Sequence, residues 1–130
     1  MSIFKRSSND TDKGTSETAI NWRPLTEMQQ LDEIVEASKV TPVAIFKNST
    51  TCGISRMALK GLQRDYAIAK DELDMYMLDL LQYRSLSNEI AQRFGVYHES
   101  PQLLLIKDGK CVYHTSHSSI DADELKAKLN

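Results

Sequence analysis

Two cysteines in 130 residues, Cys52 and Cys111, are too few and too far apart to staple a small secreted scaffold. That scarcity fits a reducing compartment, where any covalent redox role of a thiol is transient. Long apolar runs are missing too: none approaches membrane-spanning length, and Met1 to Arg6 offers only Ile3 and Phe4 towards a signal-peptide core. Nor is there an excess of one charge. Sixteen basic and 18 acidic residues give a net charge of -2, which provides no footprint for nucleic acid. The expectation is a soluble, cytoplasmic protein with neither membrane nor nucleic-acid partners.

What is present supports one domain with its own core. Residues 5–19, KRSSNDTDKGTSETA, are almost wholly polar and cannot bury enough surface to order themselves. The division is therefore a disordered tail over 1–19 and a folded domain over 20–130. Trp22 and Leu25 are expected to pack on the core, with Pro24 breaking regular structure. Thr26 with Gln29 reads as a capping box and predicts a helix over 27–38, with Leu31, Ile34 and Val35 on one face. Val43-Ala44-Ile45-Phe46 reads as a strand covered on both faces.

Apolar and small residues at helical spacing (Ala58, Gly61, Leu62, Tyr66, Ala69) predict a helix from Gly53 to about Lys70, and Gly61 inside it suggests close approach to the sheet. Met75 to Leu81 reads as a second strand, so the strand-helix-strand unit requires a parallel pair with a right-handed crossover. Ser85 or Ser87 is expected to cap a short helix that Gly95 ends. Residues 102–107 and 110–114 flank Asp108-Gly109, the composition of a type I′ hairpin. Asp121 caps a last helix over 122–129.

Cys52 sits where the first strand hands over to a helix. N–H groups in a first helical turn lack intrahelical partners and carry the positive end of the dipole, so they favour a thiolate. A small buried hydrophobe is the competing reading. Cys52 is followed three places later by Ser55 rather than by a second cysteine. Ser55 can donate to the thiolate but cannot release a mixed disulfide by attacking it. Cys111 is no substitute. The hairpin register pairs Ile106 with Cys111 and Pro101 with Ser116, which leaves Cys111 about 16 Å along the strand from Pro101, beyond the roughly 7 Å a disulfide tolerates.

The same register returns Ser116, His117, Ser118 and Ser119 to the Cys52 end. With Thr51, Lys47 and the groups around Ser100 they offer hydroxyl and N–H contacts for a low-molecular-weight thiol; a solvated serine-rich loop explains each equally well. His98 is expected near Cys52, where a positive charge lowers a thiol's pKa, or else merely solvated. Asp79 reads either as a buried carboxylate assisting proton transfer or as a strand end facing water. The histidines and cysteines match no zinc template, and no metal site is expected.

The order helix, strand, helix, strand, helix, strand, strand, helix resembles the thioredoxin-like fold, an α/β arrangement with a four-stranded mixed sheet and helices on both faces. Ser100-Pro101 ahead of Gln-Leu-Leu-Leu-Ile-Lys-Asp-Gly-Lys, with Ala91, Phe94, Gly95 and Val96 upstream, resembles the same group. The resemblance implies a cis Pro101 facing Cys52. Thr50-Thr51-Cys52-Gly53-Ile54-Ser55, with Tyr83-Arg84-x-x-Ser87-Asn88 and Glu99-Ser100-Pro101-Gln102, is similar to the monothiol bacilliredoxins of the YtxJ type over about residues 20 to 130. Gly53 stands where they usually have proline.

That resemblance implies a thiol-disulfide oxidoreductase that takes bacillithiol, or a related small thiol, from mixed disulfides on client proteins. Cys52 is then the nucleophile, supported by Thr51, Gly53, Ser55 and Pro101. The small thiol is co-substrate, a partner reductase can complete the cycle, and no bound cofactor is needed. Cys-Gly-Ile-Ser also resembles the Cys-Gly-Phe-Ser of monothiol glutaredoxins, which implies an iron-sulfur carrier using Cys52 and an external thiol. A third reading is a thioredoxin-fold binding module with an unreactive Cys52.

Overall fold

The computed structural model describes residues 20–130, and the predicted tail over 1–19 lies outside the described residues. The chain runs β1 (Trp22–Pro24), α1 (Gln29–Ala37), β2 (Val43–Asn48), α2 (Gly53–Asp65), β3 (Asp74–Asp79), α3 (Arg84–Phe94), β4 (Gln102–Lys107), β5 (Lys110–Ser116), a 3-10 turn (His117–Ser119) and α4 (Ala122–Ala127). The sheet order is β1-β3-β2-β4-β5. β1, β3 and β2 are parallel, β4 runs antiparallel to β2, and β5 antiparallel to β4.

Alternation along the two central strands builds the core on both faces. Ala44 and Phe46 of β2, with Leu103 and Leu105 of β4, meet Leu62 of α2 and Leu125 of α4. Val43, Ile45, Leu104 and Ile106 point the other way, onto Leu31 and Ile34 of α1 and Leu86 and Ile90 of α3. All eight of these strand residues are fully buried. At about 1.5–3 kcal/mol for each large apolar side chain removed from water, this three-layer packing is the main force holding β2 and its exit loop in place. Among the described residues no helix is long and apolar enough to cross a membrane.

Five strands replace the expected four. Trp22–Pro24, expected only to pack irregularly, forms an edge strand on β3, with Trp22 paired to Met75 and Pro24 to Met77. Proline is tolerated there because an edge strand leaves one side of its backbone unpaired. The expected cap of α1 is also replaced. No side chain caps at Met28, and the Oε1 of Gln30, not Gln29, accepts from the N–H groups of Thr26 (2.7 Å) and Glu27 (3.0 Å).

α2 ends at Asp65, about a turn short of the expected Lys70, because the chain must leave the helix for Tyr66, Ile68 and Leu73 to enter the core. Gly61 marks no close approach to the sheet: a Cβ there would meet only Arg64 Nη2 at 3.9 Å. Neither Ser85 nor Ser87 caps α3. Asp79 does related work one turn earlier, its Oδ1 accepting from the N–H of Leu81 (3.2 Å) and of Gln82 (3.4 Å). Gly95 ends α3 in the left-handed region at φ 66°, as expected of a C-terminal glycine.

The hairpin turns through Asp108 (φ 52°) and Gly109 (φ 74°), the two positive angles that a type I′ turn needs. Its tip rests on the end of α1, where Ser38 accepts from Asp108 N through its carbonyl (3.0 Å) and from Gly109 N through its hydroxyl (2.8 Å). Lys107 pairs with Lys110 and Ile106 with Cys111, but a bulge between Leu105 and Ile106 shifts the rest of the register, so Ser116 faces Gln102 instead of Pro101. The extra residue also switches faces: Cys111 packs on the α1/α3 side and Tyr113 on the α2/α4 side. Asp121 caps α4, accepting from Glu124 N at 3.2 Å.

Candidate thiol site at the start of α2

Cys52 is the N-cap residue of α2, with extended backbone (φ -100°, ψ 127°) and a partly exposed side chain. Its N–H donates to Ser49 O (3.1 Å), closing the turn that leaves β2, and its carbonyl accepts from Arg56 N (3.1 Å), opening the helix. The thiol therefore stands over the unpaired N–H groups of the first turn. The Ser55 and Ile54 N–H groups hold it below the ordinary cysteine value; partial desolvation opposes them, and the Ser55 hydroxyl and Arg56 charge add to the lowering.

Ser55 is fully buried, and its Oγ accepts from Ser49 N at 3.1 Å. That bond fixes the oxygen and leaves its proton to donate to sulfur. Position 53 needs no glycine. A Cβ there would touch only Arg56 Nη2 at 3.9 Å, and Gly53 is not among the positive-φ residues. Thr51 is an exposed turn residue.

The Ser100–Pro101 bond is cis and Pro101 is buried. Pro101 O accepts from His117 N (3.0 Å), which ties the proline to the 3-10 turn. In turn, His117, Ser118 and Ile120 form one wall of a groove of about 350 Å³ whose other wall is Ile54, Met57, Ala58 and Gly61 of α2. Helix start, turn and proline are thus linked by contacts. Ile54 (53% exposed) and Met57 (75% exposed) leave the helix side of this groove open and apolar. Ser119 is exposed and is not part of the groove wall, and Ser116 Oγ donates to Glu99 Oε1. The Ser100 hydroxyl oxygen is buried with no partner among the described residues.

Two expected members of the site stand elsewhere. Lys47 does not face the thiol. Strand alternation sends it to the α1/α3 side, where it is fully buried and its Nζ lies 3.2 Å from both Ser87 O and His98 Nδ1. Burial pulls its pKa from 10.5 down to about 8. His98 supplies no positive charge beside Cys52. Desolvation, then the Lys47 and Arg84 charges, hold it below its usual value, against a weaker pull from Glu99.

Cys111 is separated from Cys52 as the hairpin register requires. Ile106, its partner, sits opposite Val43, at the far end of β2 from the Cys52 loop, about 16 Å away along the strand. Its Sγ donates to Tyr113 O (3.3 Å) and burial raises its pKa. Sequence reasoning passed over Gln102, buried directly across from Lys47, whose amide nitrogen donates to Tyr97 O at 2.8 Å. A polar residue opening an otherwise apolar strand was its only local signal.

Known structures share this architecture. A protein described as a thioredoxin-fold oxidoreductase aligns at TM-score 0.70 and 30% identity, over 88% of this chain and 96% of its own. The thioredoxin of Malassezia sympodialis aligns at TM-score 0.63 and 18% identity, over 82% of this chain and 85% of its own. An N21Q thioredoxin from Halobacterium salinarum aligns at 0.60 and 20%, over 83% and 87%. At those lower identities the likeness is one of fold, and the fold is thioredoxin-like. The model of the family described as monothiol bacilliredoxin BrxC matches residues 23–125, which hold Cys52, Ser55 and Pro101. With a lone, activated thiol at the head of α2 and no cysteine three residues on, this chain belongs to the monothiol bacilliredoxins, a family with a thiol redox role.

Proposed function

We propose that the protein removes bacillithiol, or a related low-molecular-weight thiol, from mixed disulfides on cytoplasmic client proteins. The observation that carries this reading is Cys52 itself, a thiol lowered in pKa by helix N–H groups, with Ser55 where a resolving cysteine would stand. The Cys52 thiolate attacks the small-thiol sulfur of the mixed disulfide. One S–S bond forms between Cys52 and the small thiol as the old one breaks, and the client leaves as a thiolate that takes a proton from water. A second small thiol, deprotonated, then attacks the adduct, releasing the symmetrical small disulfide and restoring Cys52. The two half-reactions balance without a metal or bound cofactor.

In this reading the backbone beside Pro101 and the groove wall at His117 and Ser118 receive the small thiol, with Ser100 and Thr51 at its edge, while Ser116, engaged with Glu99, and Ser119 stand outside it. Lys47 contributes from below the sheet instead of by contact. A partner reductase can replace the second small thiol.

The test is intact-mass analysis of the protein after exposure to a client carrying bacillithiol and, separately, to one carrying glutathione. A single adduct on Cys52, appearing as the client's modification is lost and absent in Cys52→Ser, is the expected result. An unmodified Cys52 beside a client that stays modified would overturn the reading. A coloured dimer from anaerobic purification would point instead to cluster carriage through Cys52 and an external thiol.

A further inference from the structure

The segment between Gly95 and β4 has no regular backbone pairing, yet it delivers the cis Ser100–Pro101 bond to the site. Three consecutive residues of it are held by side chains from three different strands. Gln102 of β4 donates to Tyr97 O (2.8 Å), Lys47 of β2 meets His98 Nδ1 (3.2 Å), and Ser116 of β5 donates to Glu99. Tyr97 itself is 94% exposed, so its ring does not anchor the segment.

Lys47 is the costly member of this set. It lies on a face where Val43 and Ile45 are buried, and a buried ammonium is destabilising unless its N–H groups find partners. Both partners are uncharged acceptors: the Ser87 carbonyl in α3, and His98 Nδ1, which must be unprotonated to accept. Ser87 Oγ closes the triangle at 3.2 Å from the same nitrogen. An apolar residue of similar length would fill the space without the desolvation cost. What the ammonium adds is a fixed connection between the sheet, α3 and the loop that precedes Pro101.

We infer that Lys47 is a positioning residue for thiol exchange: its buried ammonium, with Gln102, holds the Tyr97–Pro101 segment in register so that substrate aligns against the backbone beside Pro101. This rests on the reading of Cys52 as the exchanging thiol. Lys47 acts through the loop and does not touch the sulfur.

The test compares full-length wild type, Lys47→Met and Lys47→Arg. With a client carrying bacillithiol as substrate, Lys47→Met should raise KM about tenfold, the worth of one hydrogen bond to a charged group, and leave kcat within about threefold. The rate of Cys52 alkylation should be unchanged, since the thiol's own N–H partners are untouched. Amide hydrogen exchange over residues 96–102 should quicken about tenfold while residues 53–62 keep their protection. Lys47→Arg, which restores charge and donors, should recover most of the KM.

An unchanged KM in a folded Lys47→Met, or a loss confined to kcat and to alkylation, overturns the inference. Should Lys47→Met fail to fold, His98→Leu removes the same link from the loop side and is expected to reproduce the KM effect. If wild type performs no exchange, the proposed function falls. Hydrogen exchange then still decides the role of Lys47, because unaltered protection of 96–102 refutes it.

Discussion

Replacing Lys47 by methionine should change how stability depends on pH, by an amount set by burial. In the native protein the ammonium is desolvated and its pKa falls from 10.5 to about 8. Below about pH 8 both the folded and the unfolded chain carry the charge, and the full cost of burying it is present. Between about 8 and 10.5 the unfolded chain binds the extra proton, so stability rises with pH; above 10.5 the cost is gone. The gap between 10.5 and about 8, at about 1.4 kcal/mol for each pH unit, makes about 3 kcal/mol. Lys47→Met lacks this rise.

The assay is urea unfolding at steps from pH 7 to 10.5, followed by the single Trp22, which packs on Phe46 with ring centroids 6.0 Å apart. Tyr66, whose pKa burial pushes up to about 12, titrates alike in both proteins and cancels in their difference. The expected difference curve climbs in favour of wild type across this window by about 3 kcal/mol. Parallel curves would refute the argument, showing that Lys47 reaches water or a counter-charge in the native state.

Ser55→Ala should raise the Cys52 pKa, seen as an alkylation profile displaced to higher pH, and cost about 1–3 kcal/mol because Ser49 N–H loses its acceptor; an unmoved profile would deny the hydroxyl a role. Gly53→Pro, at a first helical position without a steric obstacle, should stabilise by about 0.4–1 kcal/mol in denaturant unfolding, and a loss would mean that φ there is incompatible with proline. Gly61→Ala should add about 1 kcal/mol for the same helix, where an added Cβ meets only the Arg64 side chain at 3.9 Å, and a destabilised variant would mean that this position is more crowded than that. Cys111→Ser should leave the exchange rate as in wild type, checked with the same client substrate; a stalled adduct on Cys52 would make Cys111 a resolving thiol.

The elements that were legible in the sequence are those whose causes are local. The apolar run at Val43, the Asp108-Gly109 turn, the Gly95 stop and the Asp121 cap each depend on backbone preferences within a few residues. β1 was missed because its three residues, ending in proline, become a strand only through the hydrogen bonds that β3 supplies. The bulge in β5 was missed because nothing in Cys111-Val112-Tyr113 announces it, and one residue of slip moved Ser116 from Pro101 to Gln102.

The sequence by itself placed the thiol and its family likeness: a cysteine at a helix start, serine three places on, and a proline ahead of an apolar hairpin point to a monothiol redox protein, and leave open exchange, cluster carriage or an unreactive binding module. Tertiary structure decided the surroundings of that thiol. A strand's alternation, not the polarity of its residues, chooses the face each side chain enters, and so Lys47, which reads as a cation free for a substrate carboxylate, is buried beneath α3 against His98 and Ser87. Which acceptors meet a buried charge depends on segments 40 and 51 residues away, a distance over which local preference carries no information.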